Sequence, residues 1–331
     1  MLSIITPAYN NPDKLRKFLE SVESGRRSCP DNVEVIVVDD SSTVDLGPVI
    51  NGFSGVKYLR LEGHPGPAAA RNRGARESNG EHLLFFDSDV ILKADTLKAF
   101  CGDFARGETA VAGEYDIEPV EKGFFAQFKA LLTESWTPRS GYVSVFALRA
   151  AGIRKDAFDR VGGFDENIKT ASVEDFEFGQ RLTKAGIPIA YDPNIVVRHH
   201  HPSFAKQMKL FYLRSRDWTE LFMRRGGKFD NWCASPSEGI ASISGAFFLI
   251  SIAPAVFSGN NILFSASLIS FIVYAAMNAG FIRIAYKRRG AGFVPAALLI
   301  KLPLALMVTL GFAAGVFRFM TAISRRKRRR P

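Results

Sequence analysis

Residues 83–90 (LLFFDSDV) set strong limits on how this 331-residue chain can fold. Four apolar residues in succession are typical of the end of a strand that is buried on both faces, as in a parallel sheet. Asp87, Ser88 and Asp89 follow at once, so two carboxylates stand where this strand leaves the apolar interior. Open α/β sheets bind ligands at that edge. The segment therefore predicts an α/β fold with a polar site after this strand.

Asp87 and Asp89 are suited to holding a divalent cation. Mg²⁺ typically takes one or two protein carboxylates and completes its coordination with water and substrate phosphates. The alternative is an acidic turn before a helix, since Asp89 and Asp95 both precede residues with helical character. The other motifs of the chain favour the cation site.

The first ninety residues alternate between strand and helix patterns. Residues 2–6, 33–38 and 56–61 are predicted strands, the first of them ending at Pro7, and residues 13–24 and 66–78 are predicted helices. Strands and helices at this spacing indicate βαβ units and a mostly parallel sheet.

The polar groups at the predicted strand ends complement one another. An aromatic ring and an amide follow the first strand, two carboxylates that suit a base or ribose follow the second, and an arginine on the second helix suits a phosphate. Beyond the acids already named, the residues are Pro7, Ala8, Tyr9, Asn10, Asp39, Asp40 and Arg71. Together they predict a site for a nucleoside diphosphate.

Six motifs stand in an order that resembles the family 2 glycosyltransferases, which have the GT-A fold. They are TPAYNN at 6–11, VVDDSS at 37–42, GPAAARNRG at 66–74, FFDSDV at 85–90, VGGFDE at 161–166 and VEDFE at 173–177. The resemblance covers roughly residues 1–205. It implies a nucleotide-sugar donor linked to UDP or GDP, a Mg²⁺ or Mn²⁺ cofactor, and inversion of the anomeric configuration.

The resemblance also implies a role for each matching position. Asp89 and Asp87 fall on the metal positions, and Asp175 falls on the catalytic base. An inverting displacement needs such a carboxylate to take the proton of the attacking hydroxyl. Asp175 can at the same time act as a helix N-terminal acid, because residues 174–182 have a helical pattern. The positions implied for nucleotide-sugar binding are Pro7, Ala8, Tyr9, Asn10, Asp39, Asp40, Arg71, Asp87, Ser88 and Glu174.

The end of this region carries two further patterns. Residues 161–165 (VGGFD) predict a tight turn, with a simple loop as the alternative. Residues 187–197 predict a strand pair interrupted at residues 192–193, followed by three histidines. In the family that the chain resembles, a histidine after the last strand can complete the metal site, which favours His199 and then His201. The alternative is a polar strand end without a metal.

The remainder of the chain is apolar and basic. Residues 204–225 predict an amphipathic helix, which either packs on the catalytic domain or lies at an anionic membrane surface. Residues 240–257 and 262–282 are long uncharged apolar runs and predict a transmembrane hairpin. The cationic residues 286–289 should stay in the cytoplasm, so the catalytic domain should lie on that side.

Residues 293–317 are apolar but contain Lys301 and Pro303, and two topologies are open. The segment is either a third span or a re-entrant or interfacial helix pair broken at residues 301–303. The second topology is favoured, because it leaves the cationic tail on anionic lipid. That tail, residues 325–330 (RRKRRR), supplies six of the ten net positive charges. The excess charge is therefore a local patch and does not predict a nucleic acid partner.

The chain carries three widely spaced cysteines, Cys29, Cys101 and Cys233. Their odd number argues against a disulfide framework or a zinc cluster, and they are interpreted as reduced packing residues. The first ten residues lack the basic region and the long apolar run of a signal peptide. We expect them to form a strand, with the N-terminal domain in the cytoplasm.

The predicted organisation has four parts. An α/β domain of GT-A type, a mostly parallel sheet flanked by helices, occupies residues 1–203. An amphipathic interfacial helix and linker follow at 204–238, membrane segments at 239–320 and a polybasic tail at 321–331. The expected location is the cell inner membrane, with several passes.

The leading hypothesis is a glycosyltransferase that adds a sugar to a lipid-linked or cell-envelope glycan at the cytoplasmic face. Processive synthases of this family carry a QxxRW motif, to which residues 214–218 (RSRDW) are only loosely similar, so a single addition is expected. The first alternative is a non-catalytic membrane scaffold that binds a nucleotide sugar. The second is a nucleotidyltransferase, but no glycine-rich triphosphate loop stands near the N-terminus.

Overall fold

The structure is a computed structural model that describes residues 1–29, 32–137, 141–224 and 235–328. Within these residues, nine strands form one sheet, accompanied by twelve helices. The strands are β1 (Leu2–Ala8), β2 (Val33–Asp39), β3 (Val56–Arg60), β4 (His82–Phe85), β5 (Val90–Leu92), β6 (Ala110–Tyr115), β7 (Tyr142–Val143), β8 (Ala151–Arg154) and β9 (Ile189–His199). The helices are α1 (Pro12–Arg26), α2 (Gly47–Ile50), α3 (Pro67–Arg76), α4 (Thr96–Ala105), α5 (Phe124–Trp136), α6 (Lys155–Val161), α7 (Glu174–Lys184), α8 (Phe204–Arg224), α9 (Pro236–Ser258), α10 (Asn261–Met277), α11 (Ala279–Arg289) and α12 (Phe293–Arg328).

The sheet has the strand order β3-β2-β1-β4-β8-β6-β9-β5, with β7 paired to β9. The first four strands of this order are parallel, so their carboxyl ends meet at one edge. Beyond β4 the sheet is mixed, because β8 runs antiparallel to both β4 and β6. The predicted α/β class and the parallel N-terminal half are confirmed.

Helices cover both faces of the parallel strands, as their side-chain alternation requires. Val35 and Val37 of β2 belong to the same apolar cluster as Phe18 of α1. Ile36, which lies between these two valines in β2, packs with Ala70 of α3. Successive side chains of a strand point to opposite faces, so this strand is buried on both. The layers therefore hold the strand ends in fixed positions.

Several elements differ from their predicted bounds. β1 continues through Pro7, where the missing N–H is tolerated because pairing with β4 stops at Ile5. β9 is a single strand, and the predicted interruption is a register shift after its pairing with Ala112. The second apolar run does not form one helix, because it breaks at Asn278 between α10 and α11 with a bend of 65°. The predicted break at residues 301–303 is wrong, since α12 continues through Pro303.

The chain divides into two compact units. The sheet unit comprises Met1–Lys122 and Thr137–His201, and the helical unit comprises Gly123–Trp136 and Pro202–Pro331. The short helix α5 thus belongs with the C-terminal helices, although the sheet unit flanks it on both sides in sequence. The contiguous ranges predicted from the sequence did not include this insertion.

Two helices of the helical unit, α9 and α12, are long and apolar enough to span a membrane, and α10 and α11 meet the same criteria together. Many of their large apolar side chains are exposed, among them Phe257, Ile262 and Phe317. In the sheet unit, Cys29 and Cys101 form no disulfide, and their sulfurs lie 2.8 Å apart. Arg225, Cys233 and residues 329–331 lie outside the described part of the chain.

Candidate active site

A buried arginine connects two acidic segments at the carboxyl edge of the sheet. Arg71 lies on α3, and only 2% of its side chain is exposed. Its Nη2 atom donates to Asp87 Oδ1 over 2.7 Å, and its Nη1 atom donates to Glu174 Oε1 over 3.1 Å. Asp87 follows β4 and Glu174 opens α7, so one guanidinium, itself 103 positions before Glu174, joins two acids from separate segments of the chain. The sequence predicted a phosphate contact for Arg71, whereas the structure directs its charge to these two carboxylates.

Asp89, two residues after Asp87, has a different set of neighbours. Its Oδ1 atom lies 3.4 Å from His199 Nε2, and its Oδ2 atom lies 3.7 Å from Lys14 Nζ. This proximity arises because β5 begins at Val90 and pairs antiparallel with the end of β9, which sets Val90 opposite His199. Of the two histidines favoured from the sequence, His199 is the one whose ring lies beside Asp89. His201 lies behind it, with the two Nδ1 atoms 3.0 Å apart.

The two aspartates differ in their proton affinity. Burial raises the pKa of Asp87, which Arg71 opposes and the charges of Asp89 and Glu174 reinforce. Burial acts in the same sense on Asp89, but the charge and hydrogen bond of His199 and the charge of Lys14 outweigh it and lower the pKa of Asp89. Asp89 is therefore held as a carboxylate at neutral pH.

The donor set fits a cation that is shared with a substrate. Within the described ranges, no group of three or more His, Cys, Asp or Glu side chains could enclose a metal ion unaided. Asp87 and Asp89 nevertheless place two carboxylates at one strand end, and His199 adds an imidazole beside Asp89. Mg²⁺ is commonly held by one or two carboxylates together with phosphate oxygens and water. These residues match such a site and do not match a cage made of protein alone.

Asp39 and Asp40 are both buried, and protein donors occupy their oxygens. Asp39 Oδ1 accepts from Ser42 N over 2.8 Å, while Oδ2 accepts from Tyr58 Oη and from Arg60. Asp40 Oδ1 accepts from the N–H of Gly66 over 3.0 Å. Burial raises the pKa of Asp40, opposed by this N–H and by the charge of His64. The pair therefore shapes the loops after β1, β2 and β3, and any contact with a base would use the remaining lone pairs.

Tyr9 presents an open aromatic ring at this edge. Its side chain is 45% exposed and stacks on His64, with ring centroids 4.2 Å apart. The His64 Nδ1 atom is anchored 2.8 Å from the carbonyl oxygen of Asp40. Next to Tyr9, Asn10 has φ = 52° and accepts from the N–H of Thr43 over 2.8 Å. The loop after β1 is thus held in one conformation with the tyrosine ring outward.

The remaining predicted positions lie at the ends of the same strands and helices. Pro7 and Ala8 close β1. Ser88 is buried, and its hydroxyl accepts from Asn11 Nδ2 over 2.8 Å. Asp175 is half-buried in the first turn of α7, directly after Glu174. Its Oδ1 atom accepts from the N–H of Phe176 over 2.9 Å, the bond of a helix N-terminal acid.

Sequence reasoning missed three residues that organise the site. His64 supports Tyr9, and Asn72 fastens the VGGFD turn by accepting from the N–H of Phe164 over 2.8 Å and donating to its carbonyl over 2.9 Å. Gly66 has φ = 102°, and a Cβ there would lie 2.4 Å from the carbonyl oxygen of Lys169. From the sequence, the role of Asn72 could have been inferred only from its position directly after Arg71 in the motif at 66–74.

Two family models match this chain. The model described as "Glycosyl transferase family 2" matches residues 3–162, and the one described as "Glycosyltransferase like family 2" matches residues 125–226. Together they cover more than half of the sequence. The chain belongs to glycosyltransferase family 2. The first matched range includes the Asp87–Asp89 segment and the Arg71 helix. Together the two ranges contain the sheet unit except for Met1 and Leu2.

Curated relatives of this family-2 chain agree with the family models. A pre-mycofactocin glycosyltransferase of Mycobacterium tuberculosis is 28% identical over 252 residues, which cover 70% of this chain and 52% of the relative. An uncharacterized glycosyltransferase of Haemophilus influenzae is 29% identical over 195 residues, covering 55% and 62%. The chain thus spans about half to two thirds of the length of these relatives.

A solved structure supports the fold of this family-2 protein. The mannosyltransferase PcManGT from Pyrobaculum calidifontis, solved with GDP-Man and Mn²⁺, aligns with a TM-score of 0.54 at 17% identity. The alignment covers 96% of this chain and 86% of that one. The GT-A architecture predicted from the motif order is therefore confirmed.

Proposed function

We propose that this protein is a metal-dependent, inverting glycosyltransferase that moves a sugar from a UDP- or GDP-linked donor to a membrane-associated acceptor. The acceptor would be a lipid-linked or cell-envelope glycan at the cytoplasmic face of the inner membrane. Family membership supports the sugar transfer. A neighbour in fold, solved with GDP-Man and Mn²⁺, motivates the choice of a nucleotide-linked donor.

The observation that carries the proposal is the double contact of Arg71. Its guanidinium bonds both Asp87 and Glu174, and Glu174 directly precedes Asp175. The acidic strand end and the segment that bears the candidate base are therefore parts of one site. A transferase needs this arrangement, because the diphosphate leaves the same anomeric carbon that the deprotonated acceptor hydroxyl attacks.

Asp175 would take the proton of the acceptor hydroxyl as its oxygen attacks the anomeric carbon. The new carbon–oxygen bond forms while the bond to the donor phosphate breaks, and the nucleoside diphosphate leaves with the electron pair. Tyr9, stacked on His64, offers a ring on which a base could lie. Mg²⁺ or Mn²⁺ bound near Asp87 and Asp89 would supply charge stabilisation for the leaving diphosphate.

The membrane-associated acceptor is inferred from the helical unit. Its long helices expose large apolar side chains, which is typical of a lipid-facing surface. An enzyme with a soluble acceptor gains little from such an anchor. A lipid-linked acceptor, in contrast, is confined to the surface where the anchor holds the enzyme.

The test is a donor screen with the full-length protein in detergent and native lipid extract. Nucleoside diphosphate release and product mass would be measured with several UDP- and GDP-sugars in the presence of Mn²⁺. We expect turnover with one donor, loss of turnover on chelation, recovery on adding Mn²⁺ back, and a product with inverted anomeric configuration by NMR.

A matched pair of variants separates chemistry from folding. Asp89→Asn should abolish turnover, whereas Asp159→Asn, at an exposed position on α6, should leave it intact. Binding of a nucleotide sugar without any consumption would contradict the proposal and favour a non-catalytic scaffold. Retention of configuration would leave the transfer standing and overturn the inverting mechanism.

A further inference from the structure

The position of α5 relative to the membrane follows from its connections to the sheet unit, and the other helices can be placed relative to it. Residues of the sheet unit adjoin α5 at both ends, since Lys122 and Thr137 lie one or two positions away. With 13 residues, α5 is roughly 20 Å long and makes a single passage. Both of its ends must therefore lie on the side of the membrane that holds the sheet unit. A helix with that constraint does not cross the bilayer. Because the buried face of α5 packs against apolar residues of α11 and α12, the helix lies at the membrane surface on that side.

The beginnings of α8 and α12 both meet the first turn of α5. The rings of Phe125 and Phe204 have centroids 5.3 Å apart, and those of Phe124 and Phe293 are 4.7 Å apart. α8 meets the far end of α5 as well, where Phe211 lies 6.4 Å from Trp136. α8 therefore runs beside α5, in the plane of the surface.

A polar cluster connects α12 and the α9–α10 hairpin to the C-terminal end of α5, at Trp136. Glu238 Oε1 accepts from Trp136 Nε1 over 2.9 Å and from Lys301 Nζ over 3.3 Å. Lys301 Nζ also donates to Asn278 Oδ1. Three parts of the chain consequently lie at the same membrane depth as α5: the start of α9, the end of α10 and residue 301 of α12. The helices α9 and α10 depart from this level and return to it, with 23 and 17 residues, each within the range that spans a bilayer.

The cluster also accounts for the charge in the apolar segment. Lys301 is 5% exposed and would be costly at the centre of a bilayer. At the level of α5 it lies near the membrane surface, paired with Glu238. A third span over residues 293–317 would place Lys301 within the hydrocarbon, which does not agree with these contacts.

The C-terminal half of α12 packs along α8. A Cβ at Gly311 would lie 2.3 Å from the carbonyl oxygen of Tyr212, and one at Gly315 would lie 2.5 Å from that of Arg216. Small residues four positions apart allow two helices to approach this closely. Farther on, Arg318 lies 3.4 Å from Asp217. The two helices thus remain paired over at least eight residues of α12.

The charge of α8 fixes where such a pair can lie. Within α8, five cations stand against two acids. If α12 crossed the bilayer, α8 would carry these charges into the hydrocarbon, which is strongly unfavourable. At a membrane surface the same excess of cations meets anionic headgroups.

We infer that α5, α8 and α12 form an interfacial layer whose partner is the bilayer surface on the side of the sheet unit, and that α9 and α10 alone cross. α11 joins this layer, since Phe281 packs against Phe128 of α5 and Arg288 pairs with Glu134 over 2.9 Å. The C-terminal end of α12 then lies on the same side as the sheet unit. The inference rests on the membrane anchoring in the proposed function.

The test is site-directed labelling of full-length protein in intact vesicles of known orientation. In a background where the native cysteines are serine, single cysteines would replace Glu23 in the sheet unit, Ser258 at the hairpin tip and Ala322 near the tail. A membrane-impermeant maleimide should label Glu23→Cys and Ala322→Cys from one side and Ser258→Cys from the other.

Each outcome bears on a separate claim. Labelling of Ala322→Cys from the same side as Ser258→Cys would overturn the interfacial assignment and make α12 a third span. Labelling of all three positions from one side would overturn the α9–α10 hairpin. Release of the protein by carbonate washing, before any labelling, would instead refute the membrane anchoring on which the inference rests.

Discussion

Arg71 donates to Asp87 over 2.7 Å from a position inside the fold, where 2% of the arginine side chain is exposed. The second arm of the guanidinium holds Glu174. A planar, permanently charged fork can serve two carboxylates at once, whereas an ammonium is a point charge on a flexible stem. The two contacts of Arg71 together set the distance between Asp87 at the strand end and Glu174 at the start of α7.

We predict that Arg71→Lys weakens the fold and the site together. The variant keeps the charge but loses one of two charge-assisted bonds, so the free energy of unfolding should fall by about 1–3 kcal/mol. Arg71→Met leaves both carboxylates unpaired and should cost about 3–5 kcal/mol. Urea unfolding followed by circular dichroism measures both. Arg73→Lys is the control, because its pair with Glu77 is exposed and should be worth less than about 1 kcal/mol.

We predict that Asp175→Asn removes catalysis while donor binding persists. Loss of a general base typically lowers kcat by about 10²–10⁴-fold, and the KM for the donor should change by less than about threefold. Steady-state assays with the donor identified in the screen measure both constants. Asp13→Asn provides the control, since Asp13 is also an acid in the first turn of a helix. Equal, small effects of the two substitutions would mean that Asp175 is only a helix N-terminal acid.

A second acid pair, Asp103 and Asp192, predicts a pH effect on stability. Burial and the nearby charge of Asp192 raise the pKa of Asp103 to about 7. In the unfolded chain this group titrates near about 4. Between these values the folded state binds more protons, so the contribution of Asp103 to stability is present at low pH and is lost as the pH rises through about 7.

Asp103→Asn should therefore gain stability relative to the unmodified protein as the pH rises. We expect the difference in Tm between the two to shift in favour of the variant between pH 5 and pH 8, as measured by thermal unfolding. Asp95→Asn, at an exposed position beside the same helix, should show no such trend. A constant Tm difference for Asp103→Asn across this range would contradict the raised pKa of Asp103.

We predict that Gly311→Ala separates α8 from α12. Its new Cβ would meet the backbone oxygen of Tyr212 at 2.3 Å, which no side-chain rotation can relieve. Limited proteolysis in detergent should cut α8 faster, and the Tm should fall by several degrees. Gly280→Ala, where a Cβ meets open space, should leave both unchanged. Unaltered proteolysis of Gly311→Ala would show that the close packing of these helices is dispensable.

Local patterns were sufficient for the elements that short-range physics controls. The apolar run before Asp87 predicted a buried strand, and the acids at residues 174–177 predicted the first turn of a helix, as found in β4 and α7. Both follow from side-chain periodicity and helix electrostatics within a few residues. Pro303 shows the limit of such rules, because α12 continues through a residue that usually ends a helix.

The sequence by itself determined the α/β class, the family and the set of acids from which a donor site can be built, because these depend on residue type and order. Only the tertiary structure decided which of those groups meet. It turned Arg71 inward to Asp87 and Glu174, brought His199 to Asp89, and satisfied Asp39 with protein donors. Such contacts join residues from distant segments, and their energies depend on burial and on competing partners. No local pattern carries that information.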